Sequence, residues 1–283
     1  SRKANEKFSD RAEGNLKRAT FWLLDKTEAD GDGLNFGHND GANFLEWSPD
    51  HFADQRPTLQ AAGRAFLRSE VFSSGDWDEL SSWLGLKQTA NRCVDRPQDE
   101  GYRVIASGEV KARMRAKILR SRPAHMDQIH VQATVRGEEI LLDTGTYSYS
   151  HLNPWKNALV SARNHNCVLI DGAEPMERAG QFLLLNRDQA DWLGEQTDTR
   201  LFAFHTGFNR SGVTHYRELE IDRATLICRD TFTGKKRVKK TIQFFWQFPD
   251  LPWEVEGDLL RINSEKYSVK LILRSDKSSE GIS

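Results

Sequence analysis

The sequence predicts an α+β protein in two parts, N-terminal helices followed by an antiparallel β-sandwich. Three observations carry that expectation. Apolar residues recur at helical spacing through roughly the first 98 positions and then switch to a period of two. Beyond Arg96 the apolar runs are short, bounded by turn residues, with no helical pattern between them. Helices first and strands afterwards is the order of segregated parts, whereas βαβ units would alternate. The expected division is a helical segment over 1–98 and a β-sandwich over 99–283.

Each element has a local reason. From Ser9, the positions Ala12, Leu16, Ala19 and Leu23 fall on one helical face, with Asp10 and Glu13 in the first turn. Pro57 suits a first helical turn, after which Leu59, Ala62 and Phe66 mark an apolar face. Asp76 and Glu79 have capping-box spacing, Trp77, Leu80 and Leu84 follow, and Gly85 ends that helix. From Val110, the residues Ala112, Met114, Ala116 and Ile118 alternate with Lys111, Arg113, Arg115 and Lys117, which predicts a strand with one cationic face. Ile129, Val131, Ala133 and Val135 predict the next strand, and Arg136-Gly137 a turn. Short runs at 140–142, 167–170, 182–185, 201–204, 216–221, 224–228, 241–246 and 267–273 continue the series.

Composition narrows the function classes. With 40 basic and 41 acidic side chains the net charge is −1, which gives no global case for nucleic acid. No apolar run approaches the ~18 residues of a membrane span. Cys93, Cys167 and Cys228 are far apart and lack CxxC spacing, so neither a zinc knuckle nor a disulfide framework is indicated. The basic run Lys235-Lys236-Arg237 with Lys239-Lys240 reads as a solvated hairpin loop.

The densest concentration of chemistry lies between Pro123 and Asn166. His125 is expected to open one strand, Asp143 to close the next and His165 to precede a third. Adjacent antiparallel strands bring such ends to one rim. Two imidazoles and a carboxylate with an open position suit a zinc-like divalent ion. The alternative is that Asp143 caps a turn and both histidines sit on solvated loops. Upstream, Lys111, Arg113, Arg115 and Lys117, followed by Arg120 and Arg122, form either a strip for an anionic ligand or the charged face of an edge strand.

At this cluster the sequence resembles the C-terminal half of the heparinase II/III family of polysaccharide lyases. Three blocks carry the resemblance, in the family's order: Arg122-Pro-Ala-His-Met-Asp-Gln-Ile-His-Val131, Gly137-Glu-Glu-Ile-Leu-Leu-Asp-Thr-Gly-Thr-Tyr147 and Ala162-Arg-Asn-His-Asn-Cys-Val-Leu-Ile-Asp-Gly172. Upstream, Gly37-His-Asn-Asp-Gly-Ala42 and Arg56-Pro-Thr-Leu-Gln-Ala-Ala62 are similar to the end of the family's helical toroid.

The resemblance implies the end of an incomplete α/α toroid followed by the β-domain, from a protein longer than this chain. It implies cleavage of an acidic, uronate-containing polysaccharide by β-elimination, in a bacterial periplasmic or secreted setting, or else a glycan-binding or exopolysaccharide-assembly protein with the same fold and no catalysis. It implies a divalent metal, zinc by family habit, on His125, Asp143 and His165. Tyr147 and His165 are the catalytic candidates within the chain, the family's main catalytic Tyr lying upstream of the match. His38, Asn39, Asp40, Arg113, Arg115, Arg122 and Arg163, with Trp47 and Trp155, are the sugar-facing candidates. Pro123 stands where many members carry a His.

Overall fold

The computed structural model describes residues 7–27, 31, 37, 39, 41, 53–93, 101–234, 239–272 and 274. These divide into two compact units, one within Ser1–Asn35 and Asn39–Asp99, the other within Phe36–His38 and Glu100–Ser283.

The first unit is helical. Helix α1 (Asp10–Asp25) begins where Ser9 Oγ accepts the Ala12 N–H at 3.3 Å, with Asp10 and Glu13 in its first turn. Helix α2 (Arg56–Ala62) has Pro57 in its first turn and widens into a single π-turn, Gly63–Leu67, that stops at Arg68 in left-handed backbone. The wide turn breaks the spacing from Leu59 and Ala62 to Phe66, so these three do not make one continuous α-helical face. A short 3-10 turn (Asp76–Asp78) leads into α3 (Glu79–Trp83), and Gly85 follows with φ 65°. The capping carboxylate here is Asp78 rather than the expected Asp76 and Glu79 pair. Its Oδ2 accepts Ser74 Oγ at 2.8 Å and the Gly75 N–H at 3.3 Å.

A buried ion network holds these pieces together. Arg64 Nη2 reaches Glu70 Oε2 at 2.8 Å and Asp78 Oδ1 at 2.6 Å, and the fully buried Gln60 amide donates to the same two carboxylates. Hydrogen bonding from Arg64 holds Glu70 below the usual carboxylate range. Burial works against ionisation of Asp78, but hydrogen bonds from Gln60, Ser74 and Gly75 outweigh it, and this carboxyl is depressed too. Both therefore stabilise the fold above the unfolded values of about 4, and that contribution is lost as the pH falls through the folded values. Arg64→Met should cost the unit about 3 kcal/mol, seen as an earlier loss of helical circular dichroism in urea. Acid unfolding of the wild type below about pH 4 should be much weaker in the variant.

The second unit is the β-sandwich. One sheet has the order β1 (Tyr102–Ser107), β2 (Val110–Arg115), β3 (Val131–Val135), β4 (Glu138–Leu141). The other contains β8 (Ala190–Trp192), β9 (Arg200–His205), β10 (Val213–Asp222) and β11 (Thr225–Gly234), in the order β11-β10-β9-β8. Their apolar faces meet: Ile105, Ala112, Met114, Val131 and Ala133 pack with Leu201, Ala203, Leu219 and Ile221 in one core. All described pairings in these sheets are antiparallel, as the period of two requires. Smaller sheets complete the unit. Strand β5 (Val168–Ile170) pairs with β12 (Ile242–Phe244), β6 (Glu177–Gly180) with β7 (Leu183–Leu185), and β13 (Trp253–Glu256), β14 (Leu259–Asn263) and β15 (Ser268–Ile272) form a three-stranded sheet.

Two expectations about β2 change. It lies between β1 and β3, so the edge-strand reading of its cations fails. It also ends at Arg115, and Ile118 is half exposed beyond it. Among the described residues, no helix is long and apolar enough to cross a membrane.

Candidate metal centre

Three loops of the sandwich unit converge. His125 lies in the connection between β2 and β3, Asp143 two residues past β4, and His165 at the end of a 3-10 turn (Ala162–Asn164) before β5. His125 thus sits well ahead of the strand it was expected to open. Asn166 draws the loops together. Its Nδ2 donates to the Val131 carbonyl at 2.6 Å and the Leu142 carbonyl at 3.2 Å, and its Oδ1 accepts the Gln247 N–H at 2.5 Å. Asn166→Ala leaves three main-chain groups, one buried and two half-buried, without this partner and should cost about 3 kcal/mol in urea unfolding.

His125, Asp143 and His165 each offer a ligand atom within 4.8 Å of the others, and all three are buried. The expectation of solvated histidines is therefore overturned. The surrounding hydrogen bonds fix how each group is presented. The Thr146 hydroxyl donates to the Gly37 carbonyl at 2.5 Å, so Thr146 Oγ1 accepts from His125 Nε2 at 3.1 Å. The His125 lone pair is then on Nδ1. Asp143 Oδ1 accepts the Gly145 N–H at 2.8 Å and lies 3.2 Å from His165 Nδ1. Burial opposes the Asp143 charge, but the neighbouring His165 and His130 outweigh it and hold this carboxyl well below the usual range. His165 is fully buried, and beyond the Asp143 contact of Nδ1 its Nε2 makes no hydrogen bond. Such an orphaned polar group costs about 1–3 kcal/mol. A divalent ion on these three groups removes that cost, and two nitrogens with one carboxylate oxygen are a donor set for it.

His130 adds a fourth imidazole-or-carboxylate group and was missed as a site residue. Its Nδ1 accepts the Asn166 N–H at 2.9 Å, which puts the ring proton on Nε2, 3.5 Å from Asp143 Oδ2. Burial pushes its imidazole down to about 3, so the ring is neutral at physiological pH. With no lone pair facing the centre, His130 orients Asp143 rather than joining the three groups. Its sequence signal was a His within the first resembling block, masked by its place in an alternating run.

The other expected site residues are scattered. Arg113 is buried within its sheet, and Arg115 is ion-paired with Asp127, so the cations of β2 form no open strip. Arg122 and Arg163 are exposed, the former over the Phe182 ring at 5.6 Å. Tyr147 is 59% exposed, in left-handed backbone with φ 61°, and its ring stands edge-on to that of Trp155 at 6.4 Å. Asn39 is exposed and accepts the Gly41 N–H at 3.1 Å. His38, Asp40 and Trp47 lie outside the described residues, as do Lys235, Lys236 and Arg237.

Comparison with known proteins gives a family from the sequence and a shared fold from solved structures. The family described as "Heparinase II/III-like, C-terminal" matches residues 89–282. Among solved structures, a heparinase III with methylated lysines superposes with a TM-score of 0.62 at 13% identity, covering 91% of this chain and 38% of its own. The heparan sulfate lyase HepC from Pedobacter heparinus gives 0.56 at 14% identity, covering 89% and 37%. A further heparinase III gives 0.54 at 11% identity, covering 89% and 39%. This chain thus spans under two fifths of the length of the structures it matches. No curated protein sequence matches.

Proposed function

The chain belongs to the heparinase II/III-like family, and from that premise we propose that it is the metal-bearing C-terminal part of a polysaccharide lyase acting on an acidic, uronate-containing glycan. The observation that carries the reading is the buried His125–Asp143–His165 group, built from the three loops that hold the family's sequence blocks. Zinc is the ion proposed, since imidazole nitrogen and carboxylate oxygen suit it and the geometry of the chain leaves a lone pair on His125 Nδ1. When bound, the ion supplies positive charge that ties the three loops together.

In β-elimination a base removes the proton beside the uronate carboxylate, a cation or hydrogen-bond donor offsets that carboxylate, and an acid protonates the leaving oxygen. His165, with no exposed surface, serves the ion in this reading and does not meet the glycan. Tyr147 and Trp155 are the groups that present themselves to a sugar: both are more than half exposed and adjacent, and such rings stack on pyranose faces. Arg122 and Arg163 are the exposed cations that would meet its anionic groups. A periplasmic or secreted setting goes with this activity.

The test uses the whole protein incubated with heparan sulfate (the substrate in the name of the HepC neighbour), then alginate, chondroitin and bacterial exopolysaccharides. New ultraviolet absorbance from unsaturated uronate ends is expected, and its absence across the panel sinks the lyase reading. One observation favours a second reading, a glycan-binding or polymer-assembly protein without catalysis. Pro123 occupies the position where the family resemblance expects a His, and it is buried. Retention on an acidic glycan column without any cleavage, unaffected by His165→Ala, is the result that reading requires.

A further inference from the structure

Strand β10 alternates strictly, turning Val213, His215, Arg217, Leu219 and Ile221 inward. Two of these five are polar, and Arg217 is the largest of the fully buried side chains. They belong to a series of five buried groups joined end to end. Asp188 Oδ2 lies 2.7 Å from His205 Nδ1, His205 Nε2 lies 3.0 Å from His215 Nδ1, and His215 Nε2 lies 2.6 Å from Asp230 Oδ1. The Gly207 N–H also approaches His205 Nδ1, at 3.4 Å, a longer contact than that of Asp188. Arg217 closes the series with a fork, Nε to Asp230 Oδ1 at 2.7 Å and Nη2 to Oδ2 at 3.1 Å. Its Nη1 then reaches out to two main-chain carbonyls, Ile129 at 2.9 Å and Asn166 at 2.5 Å.

The three links between Asp188 and Asp230 each need one proton, and two neutral imidazoles bring only two. A third proton must sit on the series, and placed on the ring pair it leaves both carboxylates charged. With it, two carboxylates, one shared imidazolium charge and one guanidinium sum to zero, the condition under which such a cluster is tolerable in a core. Burial pushes the His215 imidazole down to about 4, against the pull of Asp230. The geometry opposes that shift, since the extra proton of the pair lies between two carboxylates, Asp188 at one end and Asp230 at the other. The two thiols nearby, Cys228 with Sγ 3.9 Å from Asp230 Oδ2 and Cys167, are pushed up to about 12 by burial and add no charge.

We propose that Arg217 is the positioning residue of the His125–Asp143–His165 centre, held in place by a proton shared between His205 and His215. It acts through the two carbonyls. Ile129 is a β-branched residue in left-handed backbone, φ 51°, a conformation such residues avoid. Arg217 fixes its carbonyl, while its N–H bonds the Arg115 carbonyl at 2.7 Å. The reversed residue aims His130 at Asp143. Asn166, the second carbonyl, precedes β5 next to His165 and orients the His130 ring through its own N–H. This inference rests on the metal reading of the centre.

The whole protein, labelled with 15N in histidine and read at about pH 7, should show three ring N–H groups on His205 and His215 together, and Asp188→Asn should leave two. Co2+, used as the spectroscopic probe, should bind Arg217→Lys about tenfold more weakly than wild type, with far-ultraviolet circular dichroism unchanged. In the same variant the His130 ring should lose its single Nε2–H form. Two ring N–H groups in the wild type overturn the proposal. So does a folded Arg217→Lys that keeps both wild-type Co2+ affinity and the His130 form. If Arg217→Lys does not fold, Asp188→Asn decides: about threefold weaker Co2+ binding supports transmission along the series, and equal binding overturns it. A wild type that takes up no Co2+ sinks the metal reading alone, and the His130 form, read without an ion, still decides the role of Arg217.

Discussion

Asp143→Asn will fold but bind a divalent ion at least about a hundredfold more weakly than wild type. The substitution is isosteric, and an amide oxygen can keep the 2.8 Å bond from the Gly145 N–H, so the turn after β4 survives. The charge does not survive, and that charge is what a divalent ion needs from the only carboxylate among the three groups. The amide nitrogen also brings a donor toward His130, whose Nε2 already carries a proton on that side. Zinc added to the wild type at about a thousandfold excess over its dissociation constant should stabilise the unit by about 4 kcal/mol. For a unit of this size that raises the unfolding temperature by roughly 10 °C. The variant should show no such rise, and an equal rise in both proteins would remove Asp143 from the centre.

Arg217→Met will destabilise the β-sandwich by about 3–5 kcal/mol, since it strands a buried carboxylate. Asp230 is disfavoured by its burial, yet Arg217 and the His215 hydrogen bond hold it well below the usual carboxylate range. With the guanidinium gone, that balance reverses, and the carbonyls of Ile129 and Asn166 lose a donor as well. The wild-type contribution of Asp230 is full above the unfolded value of about 3.9 and is lost as the pH falls through the folded one. The variant should therefore gain stability relative to wild type as the pH is lowered toward that range. Thermal unfolding near neutral pH should shift down by about 10 °C. A variant as stable as wild type would mean that Asp230 is neutralised by other means.

The sequence carried the two-part division of elements well, because period and order are local properties that survive packing. Strands with clear alternation, such as β2, β3 and β10, were legible for that reason. Other strands went unread: β6 is Glu-Arg-Ala-Gly with every residue exposed, β8 has three residues, β13 alternates Trp and Val with two glutamates on a fully exposed strand, and β1 and β14 carry apolar residues without a clean alternation. The candidate centre was legible in its three groups because each sits in a distinct block. His130 was not. The run from Ile129 to Val135 looks like one uninterrupted alternation, but Ile129 in left-handed backbone breaks its phase and the strand begins at Val131. Arg217 was hidden differently. Parity along β10 turns it inward with Leu219, but its counter-charge lies on β11 and its targets lie 88 and 51 residues away.

Those separations bear on how the protein comes to be folded. A loop closed over 88 residues is entropically costly and is rewarded only after both sheets exist and have docked. Ile129 held in left-handed backbone gives nothing back before then. The centre should accordingly be among the last features to form and among the first to be lost when the sheets separate. On the metal reading proposed above, ion uptake would work as a checkpoint, since a chain able to capture the ion would already have paired β10 with β11 and brought them against the first sheet.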